Sequence, residues 1–486
     1  MGLDAWEHAA AVRELAAHPL HPAHPLLPVD RPHQYFSPYL LIVGIAARVL
    51  RLDAITALGA AGIFNLVLLL AGLRLFVNRL IGRPHVDFYA LLFMLCLWGP
   101  GAWAYSGFLH FGVLFSILSY PSTFVKGLLF FSLLAHINYL ESDRKRWLLP
   151  TLVISVVTVL THPIDQVSLT IGLVALAVTQ VDSARTKRVI VSLGVVAAAV
   201  VVSVAWPYMS ITHIVVSPEA ARYRREFRSD DAKLYSQVLP RFGLALLVVP
   251  FVWRRMRSWR GDPLVVMFAG LLLLYLYGYL VGDPVFGRLA SSLQVVVAIV
   301  LAQERVMVPD RATSPWTLHG ARVMTVGVVL AGFVLLRQGL TAAPRSVLAR
   351  VPFGVARGYV LPDEAEALGF VGRHHQEYPV VFASRETSLE IPVFGSKVVD
   401  VNRPQAFVDT RTRALDVAAF FDAGSSADQR RSILDKYHAS LLVVDVVSLR
   451  KDPGRYAPLL ALGRIAEQND RFVFVDLRAP APGGDR

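Results

Sequence analysis

Long apolar runs separated by short polar loops fill the first 340 residues of this chain. Each run approaches the ~20 apolar residues that an α-helix needs to cross a membrane, and about ten spans are predicted. They lie at 54–78, 86–104, 121–140, 147–162, 165–182, 189–208, 239–253, 263–282, 289–303 and 322–340. The predicted fold class is therefore mainly α, a polytopic transmembrane helical bundle over 54–340.

Cations alternate between loops and give the predicted orientation. Every second loop is rich in arginine and lysine, as cytoplasmic loops are. These loops contain Arg79, Arg83, Arg144, Lys145, Arg146, Arg185, Lys187, Arg188, Arg254, Arg255, Arg257, Arg260, Arg305 and Arg311. The loops 105–120, 161–165 and 283–288 contain only Arg288. Residues 1–53 and the tail are therefore predicted to be extracytoplasmic, with 1–53 forming a first loop of amphipathic interfacial helices.

The pattern changes in the tail, residues 345–486. Short β-branched runs alternate there with helical segments, which predicts a small α/β domain with a largely parallel sheet. Strands are predicted at 380–384, 397–401, 441–447 and 472–477, and helices at 362–377, 411–422, 427–438 and 455–468. The tail has no glycine-rich phosphate loop and no nucleophile elbow. Its predicted role is to pack on the bundle and shape the mouth of a site.

The composition agrees with a membrane protein. Of 486 residues, 55% are hydrophobic and 17% are charged, against roughly a quarter charged in soluble domains. The net charge of +12 is explained by the positive-inside rule and anionic membrane lipids, so no nucleic-acid partner is expected. A single cysteine, Cys96, excludes a disulfide framework and a cysteine metal site. The Arg-, Ala- and Val-rich usage is typical of GC-rich bacteria, which predicts a bacterial inner-membrane location.

The N-terminal segment carries candidate chemistry. Asp4 and Glu7 have the spacing of a capping box, which predicts a helix over 5–17 with Asp4 as its N-cap. Alternatively, Asp4 is a general base that takes a proton from an acceptor hydroxyl. Glu7 and His8 would then support it or hold a divalent metal.

Three His-Pro pairs follow, at His18, His21 and His24. Proline at every third position favours polyproline II, which rises ~3.1 Å per residue. The histidines would lie roughly 9 Å apart, too far for one ion with bonds of about 2.0–2.1 Å. A rigid spacer along the membrane surface is the preferred interpretation.

These motifs resemble a known family. Asp-x-x-x-His at 4–8, Arg-Glu-Leu at 13–15, the His-Pro stretch and Tyr-Phe-Ser-Pro-Tyr at 35–39 are similar to the first extracytoplasmic loop of GT-C glycosyltransferases. This superfamily includes protein O-mannosyltransferases and the aminoarabinose transferases of lipid A. The resemblance continues through Tyr120-Pro-Ser and Thr161-His-Pro to the tail.

The resemblance implies transfer of a sugar from a polyprenyl-phosphate donor to an envelope lipid, polysaccharide or protein. It implies that Asp4 is the catalytic base or a metal ligand, with Glu7 and His8 beside it, and it adds Tyr120 to the substrate-binding candidates. The resemblance does not establish a cofactor, and a divalent metal ion is the one candidate. The family has a transmembrane helix before this aspartate, so an earlier helix is expected to be missing from the printed start.

Cations near the predicted outer face are candidates for binding the donor phosphate. Arg288 suits a phosphate because its planar fork binds two oxygens, although it is equally an interfacial anchor. Lys126 lies about one turn into its span and either contacts phosphate or snorkels.

Further candidates lie in loops. His110 is in one outer loop. His162 and Asp165 lie in another, where His162 either binds substrate or caps a helix. The loop 209–238 contains Arg222 and Arg225. It is either a solvated amphipathic helix or a segment that closes over the donor.

Two other function classes remain open. A transporter or flippase commonly shows internal repeats and charges near the membrane midplane, whereas the charges here lie at the predicted outer interface. A non-catalytic scaffold would expose a large apolar patch on the tail.

Overall fold

The computed structural model describes residues 4–99, 101–180, 183–311, 315–335 and 366–479. The chain divides into two compact units. The described parts of Met1–Gly59, Pro207–Arg224 and Val355–Arg486 form the first, called the α/β unit. The described parts of Ala60–Trp206 and Arg225–Gly354 form the second, called the helical unit.

Helices account for most of the described chain. From the N-terminus they are α1 Asp4–Ala17, α2 Pro38–Leu50, α3 Ala54–Ile81, α4 Val86–Cys96, α5 Leu114–Ile117, α6 Pro121–Ser142, α7 Leu148–Thr161, α8 Pro163–Val178, α9 Arg185–Val204, α10 Ile211–Val216, α11 Pro218–Ala232, α12 Val238–Phe242, α13 Val249–Arg255, α14 Pro263–Val281, α15 Ala290–Arg311 and α16 Pro315–Leu335. The C-terminal helices are α17 Gly369–His374, α18 Arg411–Phe421, α19 Ala427–Lys436, α20 Val446–Lys451 and α21 Pro453–Leu460.

Among the described residues, five helices are long and apolar enough to cross a membrane. They are Ala54–Ile81, Pro121–Ser142, Arg185–Val204, Pro263–Val281 and Pro284–Met307. Shorter apolar helices lie at Pro38–Leu50, Val86–Cys96, Pro163–Val178 and Arg322–Leu335. The predicted membrane helical bundle is thus confirmed. The end of its last predicted span (336–340) and the predicted start of the tail domain (345–365) lie outside the described residues.

The predicted span 239–253 is not one helix. It consists of α12, a 3-10 turn at Gly243–Val248 and α13. Pro240 and Pro250 lack an amide hydrogen, so a continuous helix there would leave carbonyl groups without donors. The segment instead exchanges backbone bonds with the residues after α4: Gly99 N donates to Arg241 O at 2.9 Å, and Ala245 N donates to Leu97 O at 3.1 Å. Irregular backbone is tolerated at membrane depth when it is buried in protein in this way.

Glycines allow α3 and α6 to pack closely. A Cβ added at Gly72 would lie 2.8 Å from the carbonyl oxygen of Gly127, and one added at Gly127 would lie 3.0 Å from Leu69 N. Small residues at helix crossings are typical of membrane bundles, because association there relies on close van der Waals contact.

The α/β unit contains one five-stranded sheet of order β2-β1-β3-β5-β4. The strands are β1 Val380–Ala383, β2 Lys397–Val398, β3 Leu441–Asp445, β4 Arg464–Gln468 and β5 Phe472–Asp476. Phe382, Leu442 and Val475 lie in its core with Phe420 of α18. The four predicted strands and the α/β character of the tail are confirmed.

The predictions of a largely parallel sheet and of a helix reaching residue 468 are wrong. Strands β2, β1 and β3 are parallel, but β5 and β4 are antiparallel to their neighbours. An asparagine forms the turn between β4 and β5, since Asn469 Oδ1 accepts from Arg471 N at 2.9 Å and from Phe472 N at 2.8 Å. Strand β4 is an exposed edge, so its sequence lacks the buried alternation that predicts strands.

The N-terminal segment packs on the sheet. Helix α1 confirms the predicted helix over 5–17. Beyond it, Leu26 O accepts from Val398 N at 2.8 Å, and Glu14 pairs with Lys397 at 2.7 Å. Residues before the first span are therefore part of the same compact unit as the tail.

We expect Gly127→Ala to destabilise the helical unit by about 1–3 kcal/mol, because overpacking forces α3 and α6 apart. Thermal unfolding in detergent, followed by tryptophan fluorescence, measures this. Gly194→Ala on α9 is the matched control, since a Cβ there meets nothing within 4 Å, and it should be neutral or stabilising. Equal shifts in the two variants would refute the close-packing account.

Candidate active site

Charged side chains converge inside one end of the helical unit. Lys126 Nζ lies 2.5 Å from Asp165 Oδ1, and their side chains are 3% and 2% exposed. His162 Nδ1 lies 2.9 Å from Asp165 Oδ2. Ser292 Oγ accepts a hydrogen bond from Lys126 Nζ. These four residues are called the Lys126 cluster.

Helix ends bring the Lys126 cluster together. Helix α6 begins at Pro121, so Lys126 lies in its second turn. His162 is the single residue between α7 and α8, and Asp165 follows in the first turn of α8. A carboxylate is favourable there because the helix N-terminus carries partial positive charge. Ser292 occupies the first turn of α15.

Burial makes this pairing necessary. A charged group away from water costs several kcal/mol unless an opposite charge and hydrogen bonds compensate it. Asp165 faces both Lys126 and His162, and Ser292 supplies a further hydrogen bond. The arrangement holds the amine of Lys126 in a fixed position, with the imidazole of His162 on the same carboxylate.

A glycine lies beside the Lys126 cluster. Gly107 has φ +87°, a left-handed backbone that favours glycine. A Cβ there would lie 3.7 Å from Lys126 Cε and 3.6 Å from Ser291 Oγ. Next to it, Ser106 Oγ donates to Ser122 Oγ at 2.6 Å. A Cβ at Gly107 would thus make only ordinary van der Waals contact with the Lys126 side chain.

Arg288, a predicted phosphate ligand, has a carboxylate partner. Its Nε lies 2.9 Å from Asp231 Oδ1, which is nearly buried. The same segment is held by Trp103 Nε1, which donates to Lys233 O at 3.0 Å, and by Tyr105 OH, which donates to Asp230 O at 2.5 Å. Arg288 thus fixes the 230–235 segment and lies outside the Lys126 cluster.

The α/β unit has its own polar cluster around the predicted catalytic residues. Asp4 forms an ion pair with Arg403, whose Nη1 is also 3.6 Å from Glu7 Oε2. Gln405 Nε2 donates to Glu7 Oε1 at 3.0 Å. Burial raises the pKa of Glu7 to about 7, and the hydrogen bond from Gln405 opposes that rise.

His8 is buried against Tyr35, with ring centroids 4.7 Å apart. Desolvation lowers the pKa of His8 to about 3, so its imidazole is neutral at physiological pH. Asp4, Glu7 and His8 therefore lie together, as predicted. His8, however, is a neutral core residue, and Glu7 is half-protonated near pH 7.

A divalent metal does not fit this arrangement. Arg403 already places a positive charge against both Asp4 and Glu7. Within the described ranges, no group of three or more His, Cys, Asp or Glu side chains could hold a metal ion. Among the His-Pro histidines, His18 and His21 are exposed whereas His24 is buried, so the three do not converge.

The remaining predicted ligands are dispersed. His110 is buried, and its Nε2 donates to Trp103 O at 3.0 Å. Tyr120 is buried at the start of α6. Arg222 pairs with Asp409 in the α/β unit, and Arg225 is exposed on α11. Of the predicted substrate ligands, Lys126 and His162 are the two that share a site.

Three site residues were missed by sequence reasoning: Ser292, Arg403 and Gln405. A serine at the start of a span, such as Ser292, has no sequence feature that marks it as a site residue. Arg403 and Gln405 do have such a feature, because they follow strand β2. The carboxyl ends of parallel strands commonly carry binding residues.

Solved membrane enzymes share this fold. ArnT from Cupriavidus metallidurans bound to undecaprenyl phosphate matches with TM-score 0.53 and 15% identity, over 99% of this chain and 94% of that one. The apo oligosaccharyltransferase of Archaeoglobus fulgidus matches with TM-score 0.51 and 13% identity, over 92% of this chain and 66% of that one. AglB from the same archaeon, in complex with an inhibitory peptide and a dolichol-phosphate, matches with TM-score 0.52 and 11% identity, over 99% of this chain and 71% of that one.

No family model and no curated protein matches the sequence. The chain spans about two thirds of the length of the apo archaeal enzyme. ArnT and AglB are GT-C glycosyltransferases, so the chain has the GT-C fold, as its resemblance predicted.

We expect Lys126→Met and Asp165→Asn each to destabilise the helical unit by about 3–5 kcal/mol, because each leaves a buried partner uncompensated. The double variant should cost less than the sum of the two, as coupled residues do. Denaturant titration in detergent gives the three free energies of unfolding. Additive costs would show that the two side chains do not stabilise each other.

We expect Glu7→Gln to gain stability relative to the wild type as the pH rises from 5 to 8. The raised pKa of Glu7 means that the folded state binds a proton more tightly than the unfolded state. The stability that the protonated Glu7 contributes is therefore fully present below about pH 4.5 and is lost as the pH rises through 7. The free energy of unfolding of the wild type falls by about 1–3 kcal/mol over that range. Melting temperatures across this range measure it.

Glu386→Gln, on an exposed carboxylate, is the matched control and should follow the wild-type pH profile. A Glu7→Gln profile parallel to that of the wild type would show that Glu7 is not the titrating group.

Proposed function

We propose that this protein transfers a sugar from a polyprenyl-phosphate carrier to an acceptor on the extracytoplasmic side of the bacterial inner membrane. The acceptor is an envelope lipid, polysaccharide or protein. The observation that carries the proposal is the GT-C fold, which extends over 99% of this chain and 94% of ArnT bound to undecaprenyl phosphate. The Lys126 cluster adds a buried cation at the end of the bundle that is predicted to face outward.

Lys126 is assigned to the donor phosphate. Its ammonium is held by Asp165 and Ser292, so it is oriented before a ligand arrives. The loop residue Gly107, with no side chain of its own, lies beside Lys126 Cε. His162 faces the same carboxylate and can share its charge when the phosphate draws Lys126 away.

Asp4 is assigned as the general base. The acceptor hydroxyl oxygen attacks the anomeric carbon, the bond from that carbon to the phosphate oxygen breaks, and polyprenyl phosphate leaves. The hydroxyl proton passes to the Asp4 carboxylate. Arg403 fixes the orientation of that carboxylate, and Glu7 with Gln405 holds Arg403 and α1 in place.

We expect Asp4→Asn to reduce transfer at least ~10²-fold, the usual lower bound for removing a positioned base. Membranes containing the chain, alone and extended upstream by any in-frame helix, would be assayed for sugar release from a panel of polyprenyl-phosphate sugars. Asp30→Asn, an exposed acidic residue of the same segment, is the matched control and should retain transfer.

The Lys126→Met/Asp165→Asn double variant tests the donor site separately, and it should lose transfer while remaining folded. Near-normal transfer in Asp4→Asn would overturn the assignment of the base. No release from any donor by folded protein would overturn the proposed activity and favour a transporter or a scaffold.

A further inference from the structure

The exposed side of α3 is an apolar stripe that ends at an arginine. Ile63, Phe64, Val67 and Leu70 are exposed along it, and Arg74 follows one turn later with its side chain 75% exposed. Arg74 lies seven residues before the end of α3 at Ile81, which is about 10 Å along the helix. A lipid-facing guanidinium at that depth needs an anionic partner near the headgroup region.

A cavity of about 540 Å³ opens where the stripe ends. It lies between the last turns of α3 and the start of α4, and its size is within the range of small-ligand sites. Its polar lining includes Arg74, Asn78, Arg83, His85 and Asp87.

The lining favours an anion. The lining contains two arginines and one aspartate, and the pair between Arg74 and Asp87 is loose: Arg74 Nε lies 3.7 Å from Asp87 Oδ2, beyond the 2.7–2.9 Å of a direct charge-assisted hydrogen bond. A planar guanidinium can bind two oxygens of a phosphate. Asn78 adds an amide donor on the same helix face, four residues after Arg74.

The connection between α3 and α4, residues 82–85, lines the cavity. Its first and last residues, Gly82 and His85, have left-handed backbone, with φ +65° and +63°. A Cβ at Gly82 would meet nothing within 4 Å. A tight connection of this kind places Arg83 and His85 beside the cavity without filling it.

We propose that this cavity binds the phosphate of an anionic glycerophospholipid whose acyl chains lie along the apolar stripe of α3. The apolar stripe runs directly into the polar cavity, which matches a molecule with both apolar chains and a charged phosphate. This continuity favours a lipid over a soluble phosphate. The predicted orientation places the site in the cytoplasmic leaflet. The inference is independent of the proposed transferase activity.

The test is native mass spectrometry of the full chain released from bilayers of equal parts phosphatidylcholine and phosphatidylglycerol. The wild type should retain phosphatidylglycerol in preference to phosphatidylcholine. Arg74→Gln should lower that preference about fivefold, the worth of one cation near an anionic surface. Gel filtration would confirm that the variant is folded, and Arg74→Lys should lose part of the preference because it keeps the charge but not the fork.

Arg79→Gln is the matched control. It removes the same charge from the same helix end, but Arg79 pairs with Glu141 and does not line the cavity. An equal loss in Arg79→Gln would show a general charge effect and overturn the site. Displacement of the lipid by millimolar inorganic phosphate, or equal retention of both lipids by the wild type, would also overturn it.

Discussion

The helical unit is organised around the cost of one positive charge away from water. Lys126 could not be buried alone, since an isolated ammonium in an apolar bundle would lose its hydration without compensation. Asp165 supplies the opposite charge, and the start of α8 stabilises Asp165. The single-residue connection at His162 then fixes the distance between α7 and α8. Four helix ends thus meet around one amine.

The α/β unit handles buried polar groups differently. Near α1 it keeps several of them neutral rather than pairing every one. Burial lowers the pKa of His8 and of His33 to about 3 and raises that of Glu7 to about 7. His24 and His33 accept backbone hydrogen bonds through Nδ1. The charge pair of Asp4 with Arg403 lies at the edge of this neutral cluster, where a carboxylate retains access to solvent.

Much of the fold could be predicted because membrane spans leave a strong periodic signal. The runs at 54–78, 121–140 and 263–282 correspond to α3, α6 and α14. The signal failed at 239–253, where hydropathy cannot reveal that Pro240 and Gly243 direct the backbone to another segment. It failed again at β4, whose exposed edge has no buried alternation. The candidate site was partly predicted: Lys126 and His162 are ionisable groups in apolar surroundings, but their meeting through Asp165 depends on tertiary packing.

The pairing of α1 with the loop after β2 has a consequence for biosynthesis. Arg403 and Gln405 lie 399 and 398 residues after their partners Asp4 and Glu7. At about 5–20 residues per second, a ribosome makes them roughly 20–80 s later. During that interval the spans can enter the membrane while the N-terminal carboxylates have no guanidinium. The polar cluster around Asp4 and Glu7 is therefore completed among the last steps of synthesis, so a nascent or C-terminally truncated chain cannot assemble it.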